Sequence, residues 1–227
     1  QKLPVVFALD RGGLAGADGA THHGWGDLSF MRAIPGMVCM APKDEQELGD
    51  LMATALTIEG GPSMVRFPRG AGPGVTMNPN FNLIPIGSWE KLEGGNDVAL
   101  VATGAMVAIA TKVSELLRRE GIAATVVNGR FIKPMDENML LEVTRDTGHV
   151  VTLEDNVLDG GFGSGILEVL AHHGVEVPVK RFGLPDRFVQ HGSRNQLFEE
   201  LGLDPNSLAA SIALWLKCQP ETVESRA

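Results

Sequence analysis

The sequence contains no tyrosine and only two cysteines, Cys39 and Cys218, among its 227 residues. Neither cysteine has a second Cys or a His nearby at metal-ligand spacing, which excludes a zinc ribbon or a disulfide framework and points to a reducing, cytoplasmic compartment. Long apolar runs are missing as well. The longest charge-free apolar stretch, Val98–Ala110, is split by Gly104 and falls short of the roughly 18 residues that a membrane-spanning helix needs. The amino terminus, Gln1-Lys2-Leu3-Pro4, lacks a basic region leading into an apolar core and a cleavage site, so no secretory signal is expected. Basic residues are outnumbered, with 19 Lys and Arg against 28 Asp and Glu. The resulting net charge of -9 argues against a nucleic acid partner, because phosphate backbones require a basic surface, yet it leaves room for one basic pocket.

What is present is an alternation of short Val-, Ile- and Phe-rich runs with longer segments of helical period. Pro4–Asp10 reads as a buried strand, followed by strands over Met37–Ala41 and Ser63–Phe67, with a helix over Asp44–Ile58 that Gly60-Gly61-Pro62 stops. Residues 70–83 turn rich in Gly, Pro and Asn and lose both periodicities, as a connection between domains does. The pattern then restarts with strand Val98–Ala102, helix Met106–Arg119, strand Thr125–Phe131, helix Asp136–Thr144 and strand Val150–Glu154. A helix over Gly163–His172, a strand over Val177–Phe182 and helices over Arg194–Leu201 and Pro205–Lys217 follow. The fold class is therefore α/β, with mostly parallel sheets and helices on both faces, divided into residues 1–84, residues 85–218 and a polar, disordered tail over 219–227.

One segment stands apart. Residues 10–27, DRGGLAGADGATHHGWGD, follow the first strand directly, and ligands collect beyond the carboxyl ends of parallel strands. Arg11 borders that edge. Arg69 reaches it from the end of another strand, in Arg66-Phe67-Pro68-Arg69-Gly70. Two guanidinium groups converging there suit a phosphate through forked, charge-assisted hydrogen bonds; the competing reading is ion pairs with Asp10, Asp18 or Asp27. His22 and His23 are neighbours whose side chains diverge in an extended loop, so at most one faces a given cleft. Either is a candidate proton donor by residue type. The Gly160–Gly165 cluster is not a dinucleotide fingerprint, since Ile166 stands where the third glycine belongs, and it reads as close strand-to-helix packing.

These residues carry a resemblance. GADGATHHG after DRGG, then RFPRG, is similar to the 1-deoxy-D-xylulose-5-phosphate synthase family, thiamine-diphosphate enzymes of the transketolase superfamily. Glu154-Asp155-Asn156, Gly160–Gly165, Gly183-Leu184-Pro185-Asp186 and Gln190-His191-Gly192 resemble that family's carboxyl-terminal domain. The resemblance implies that residues 1–84 are part of a pyrimidine-binding domain and that 85–218 form a transketolase-type C-terminal domain. It implies His22, not His23, as the catalytic histidine over the reactive carbon of the cofactor. It further implies Arg11 and Arg69 as holders of the acceptor phosphate, with Asp18, the aspartate of the same element, in the substrate site.

The implied reaction condenses pyruvate, with decarboxylation, and D-glyceraldehyde 3-phosphate into 1-deoxy-D-xylulose 5-phosphate, feeding isoprenoid and thiamine biosynthesis. Thiamine diphosphate and Mg2+ are implied for the complete enzyme, held by residues expected upstream of Gln1. On this reading the chain alone binds neither cofactor nor metal and is inactive, and its partners are the upstream part of the same enzyme and a second copy in a homodimer. The alternatives are another thiamine-dependent transferase such as transketolase, or a non-catalytic dimerisation or phosphate-binding module.

Overall fold

A computed structural model of the chain describes residues 2–219. The expected disordered tail lies, apart from Gln219, outside the described residues. Two sheets form. The first contains β1 (Val6–Leu9), β2 (Val38–Met40), β3 (Ser63–Arg66) and β7 (Phe131–Lys133) in the order β1-β3-β2-β7, the first three parallel and β7 antiparallel to β2. The second contains β4 (Glu90–Glu93), β5 (Val98–Ala102), β6 (Ala124–Asn128), β8 (Val150–Val157) and β9 (Val179–Leu184) in the order β4-β6-β5-β8-β9, parallel except for β4. Central strands β5 and β8 are buried along their whole length, as strands covered by helices on both faces must be.

The helices follow from periodicity and capping. α1 (Asp27–Arg32) is short; α2 (Glu45–Ala55) starts where the Asp44 side chain accepts the Glu47 amide. α3 (Met106–Arg119) turns Met106, Val107, Ala110, Val113 and Leu117 to the core, the spacing of one helical face. α4 (Glu137–Thr147) is capped by Asp136 and closes on Gly148 at φ 66, and α5 (Phe162–His172) opens on Gly161. α6 (Arg194–Glu200) carries a capping box between Ser193 and Gln196, and α7 (Pro205–Lys217) starts at Asp204 with Pro205 in its first turn. One core joins β5, β6 and β8 to α3, α6 and α7. The other runs from the opposite face of the second sheet, through α4 and α5, into the first sheet, so the two sheets share buried side chains.

The segment between residues 70 and 84 is laid along α2. Glu45, Gln46, Asp50 and Thr54 accept in turn the amides of Gly74, Asn78, Asn82 and Ile84, at 2.6–2.8 Å. Phe81 lies so close over Gly49 that a Cβ there would stand 2.2 Å from its ring.

Two expectations are corrected. The single strand over Thr125–Phe131 is two, β6 and β7, in different sheets, because the chain turns at Asn128-Gly129 and crosses over. Pro4–Asp10 is not buried: β1 pairs only with β3 among the described residues, and Phe7 is 40% exposed. α1 and β4 form where no periodicity announced them.

Candidate functional site

The unusual loop is a closed lobe. At its base the Gly12 amide donates to the Phe67 carbonyl at 2.9 Å, and Gly13 and Gly24 exchange backbone hydrogen bonds at 3.1 and 2.9 Å, so residues 14–23 leave and return at one point. That point lies beyond the carboxyl ends of β1 and β3. A three-residue 3-10 turn, Gly16–Asp18, and Gly19 at φ 77 shape the lobe. Arg11 adopts φ 56, a left-handed conformation that costs a non-glycine residue energy and is held here by the pairing around it.

Arg11 and Arg69 meet on one carboxylate. Arg11 Nε lies 3.5 Å from Asp18 Oδ2, and Arg69 Nη1 bonds the same oxygen. Arg11 also lies 3.7 Å from Asp10. The ion-pair reading of these arginines is thus met on a shared partner, at the ends of two strands, β1 and β3, that already lie side by side in the sheet. The hydrogen bond from Arg69 holds the Asp18 carboxyl below its ordinary range, against partial desolvation, with the charges of Arg69, Arg11 and His22 adding to the effect. About half of each arginine side chain is exposed.

The two histidines separate completely. His22 is exposed, with Nδ1 at 3.0 Å from the Thr21 hydroxyl. His23 is buried; its Nδ1 accepts the Ala15 amide at 2.8 Å and its Nε2 lies 3.4 Å from the Gln190 carbonyl.

A second layer of residues, unforeseen as site components, ties the lobe down. Arg66, 6% exposed at the end of β3, donates through Nη2 to the carbonyls of Asp155 at 2.6 Å and Gly24 at 3.0 Å, and through Nε to Asp27 at 3.3 Å. Asn156 accepts the Leu28 amide at 3.1 Å and donates to Ser29 Oγ at 3.0 Å. Glu154 is fully buried and accepts the Phe162 and Gly163 amides at 2.7 and 2.9 Å, taking up the amino terminus of α5. The signal available in the sequence was two adjacent carboxylates and an amide, Glu154-Asp155-Asn156, at the end of an apolar strand, where polar and charged groups are buried only when paired.

Cavities of about 350 Å³ flank the lobe, one lined by Phe67, Pro68, Gly70 and Arg194, the other by His23, Trp25, Asp27 and Asp186. The described residues do not fit a magnesium diphosphate. No three of their His, Cys, Asp or Glu side chains group to hold a metal, and Glu154 already fills the glycine-rich start of α5. No helix of the described residues is long and apolar enough to cross a membrane.

Comparison with known proteins adds the following. Residues 1–74 match the family model of the transketolase pyrimidine binding domain, and residues 87–208 that of the transketolase C-terminal domain. A 1-deoxy-D-xylulose-5-phosphate synthase of Heliobacterium modesticaldum is 53% identical over 92% of this chain and 32% of its own length. One from Thermomicrobium roseum is 50% identical over 95% of this chain and 34% of its own. The chain thus spans about a third of the curated relatives it matches. Among solved structures, a "split gene transketolase, inactive beta4 tetramer" superposes with a TM-score of 0.85 at 35% identity, covering 96% of this chain and 69% of that one. A transketolase mutant from Pichia stipitis shares the fold, with a TM-score of 0.72 at 20% identity over 95% of this chain and 30% of its own.

Proposed function

Because the chain belongs to the transketolase family, we propose that it forms the carboxyl-terminal part of a 1-deoxy-D-xylulose-5-phosphate synthase and supplies the acceptor end of its active site. The observation that carries this reading is the convergence of Arg11 and Arg69, from separate strand ends, on Asp18 beside the exposed His22. Guanidinium forks bind phosphate oxygens bidentately, and Asp18 holds the two forks together in advance of the ligand, which lowers the cost of ordering them. D-glyceraldehyde 3-phosphate is the acceptor this suits. Its phosphate rests on Arg11 and Arg69, and its aldehyde oxygen falls to His22, which donates a proton or a hydrogen bond as negative charge develops there.

Thiamine diphosphate, with Mg2+, supplies the electron sink for pyruvate decarboxylation when bound, and its ligands belong to residues outside this chain. The domain assignment proposed is 1–84 for the pyrimidine-binding part with its linker and 85–218 for the C-terminal domain. The relative described as an inactive tetramer of a split gene product supports the view that this chain alone is inactive and self-associates, with a homodimer of the complete, cytoplasmic enzyme as the working form. The test supplies the complete protein with D-glyceraldehyde 3-phosphate and either pyruvate or a ketose phosphate as donor. Formation of 1-deoxy-D-xylulose 5-phosphate from pyruvate supports the reading, and turnover of the ketose phosphate alone replaces it with transketolase activity.

A further inference from the structure

We propose that Asp155, on a strand of the carboxyl-terminal half, is the positioning residue that holds the acceptor lobe in register with Arg69. The inference rests on the phosphate reading above and adds a residue that touches none of the reacting groups. Asp155 Oδ1 accepts the Leu14 amide at 3.1 Å, across 141 residues of chain. Its Oδ2 accepts from Arg194 Nη2 at 2.5 Å, and its carbonyl accepts from Arg66 at 2.6 Å. Every one of these acceptors is buried with the residue, which is 3% exposed.

Leu14 is the first residue of the lobe past its pinched base, and it is fully buried. Its amide is the one backbone donor there whose partner is a side chain of β8. The approach is tight by design of the sequence: at Gly13, φ 74, a Cβ would lie 2.1 Å from the Asp155 carboxylate. Further along, Gly19 faces His191, where a Cβ would lie 3.3 Å from the imidazole-bearing carbon, and the Gly16 carbonyl accepts the Gly192 amide at 3.4 Å. The lobe thus has a rigid seat on the second sheet, while Arg69 is carried by the first. Asp155 fixes where Asp18 and His22, within the lobe, stand relative to Arg69, because Arg66, one strand position from Phe67, grips the same residue's carbonyl. A buried carboxylate between a backbone donor and a guanidinium is directional, so its loss lets the lobe shift without unfolding the sheet.

The experiment uses the complete protein and the variants Asp155→Ala, Asp155→Asn and, as control, Arg69→Ala. Two quantities are read: amide hydrogen exchange over residues 11–24, and KM for D-glyceraldehyde 3-phosphate beside KM for pyruvate. Asp155→Ala is expected to speed exchange at Leu14 and its neighbours and to raise the aldehyde KM by about tenfold or more, the scale of a displaced binding group, with the pyruvate KM little changed. Asp155→Asn, which keeps an oxygen of the same reach for Leu14, is expected to fall between parent and Asp155→Ala, and it carries the test alone should Asp155→Ala not fold. Unchanged exchange, or both KM values rising together with a lower melting temperature, overturns the positioning role. If Arg69→Ala raises the aldehyde KM and the Asp155 variants do not, only this inference falls. If Arg69→Ala leaves that KM unchanged, the phosphate reading falls and takes this one with it.

Discussion

His22 and His23, adjacent in the chain, stand in opposite environments: His23 accepts the Ala15 amide inside the lobe at 2.8 Å, and His22 projects from it beside Thr21. Their substitution should therefore have opposite signatures. His22→Ala in the complete protein is expected to lower kcat by roughly 10²-fold or more, the scale of a positioned acid or base, with little change in melting temperature. His23→Ala is expected to cost about 1–3 kcal/mol of stability, because it strands a buried amide, while the folded fraction turns over normally. Single-turnover rates and thermal melts of the two variants check this; a folded His22→Ala protein with normal chemistry contradicts it.

Glu154 gives a pH dependence. Burial pushes its carboxyl from an ordinary 4.5 up to about 7, against the Gly163 and Phe162 amides and the charges of Arg66 and Arg181. Because the folded-state value lies above the unfolded one, the favourable contribution is whole below pH 4.5 and is lost as the pH rises to about 7. The shift corresponds to roughly 3 kcal/mol. Glu154→Gln, which cannot ionise, is expected to flatten stability against pH across that window, less about 1 kcal/mol for one weakened cap bond. Urea unfolding of parent and variant on both sides of the window measures it, and parallel profiles contradict it.

Gly13→Ala tests the close approach of the lobe to β8. A methyl group at 2.1 Å from the Asp155 carboxylate, on a residue at φ 74, forces the backbone or the carboxylate to move. The expected cost is about 2 kcal/mol or more, from strain and a disturbed buried ion pair together. Denaturant unfolding checks it; a loss no larger than that of Gly26→Ala, where the structure leaves open space, counts against the packing described.

What was legible in the sequence was local. Strand Val98–Ala102 and helix Met106–Arg119 were read at the bounds the structure gives them, because a short apolar run ended by Gly104 and a one-faced helical period leave little choice. The turn at Asn128-Gly129 was missed between the Val pair before it and Phe131 after it, although Asn-Gly is itself a turn signal; Gly129 is required there because a Cβ would meet the Phe162 ring at 2.4 Å. β4, Glu-Lys-Leu-Glu, carries an edge strand's charges and so no hydrophobic alternation, and α1 is too short to show a period. At the site, Arg11, Asp18 and Arg69 could be found because each sits on one loop or at one strand end. The bond from Leu14 to Asp155 could not, since nothing in a local pattern links residues 141 apart.

If Arg11 and Arg69 hold the acceptor's phosphate, taking the phosphate away from the substrate removes the partner of both arginines without altering the protein. In the complete protein, kcat/KM is measured for parent and Arg69→Ala with D-glyceraldehyde 3-phosphate and with D-glyceraldehyde as acceptor, pyruvate being saturating. A charge-assisted contact predicts a loss of roughly 10- to 100-fold for the phosphorylated acceptor and almost none for the unphosphorylated one. Equal losses with both acceptors would mean that Arg69 does not hold the phosphate.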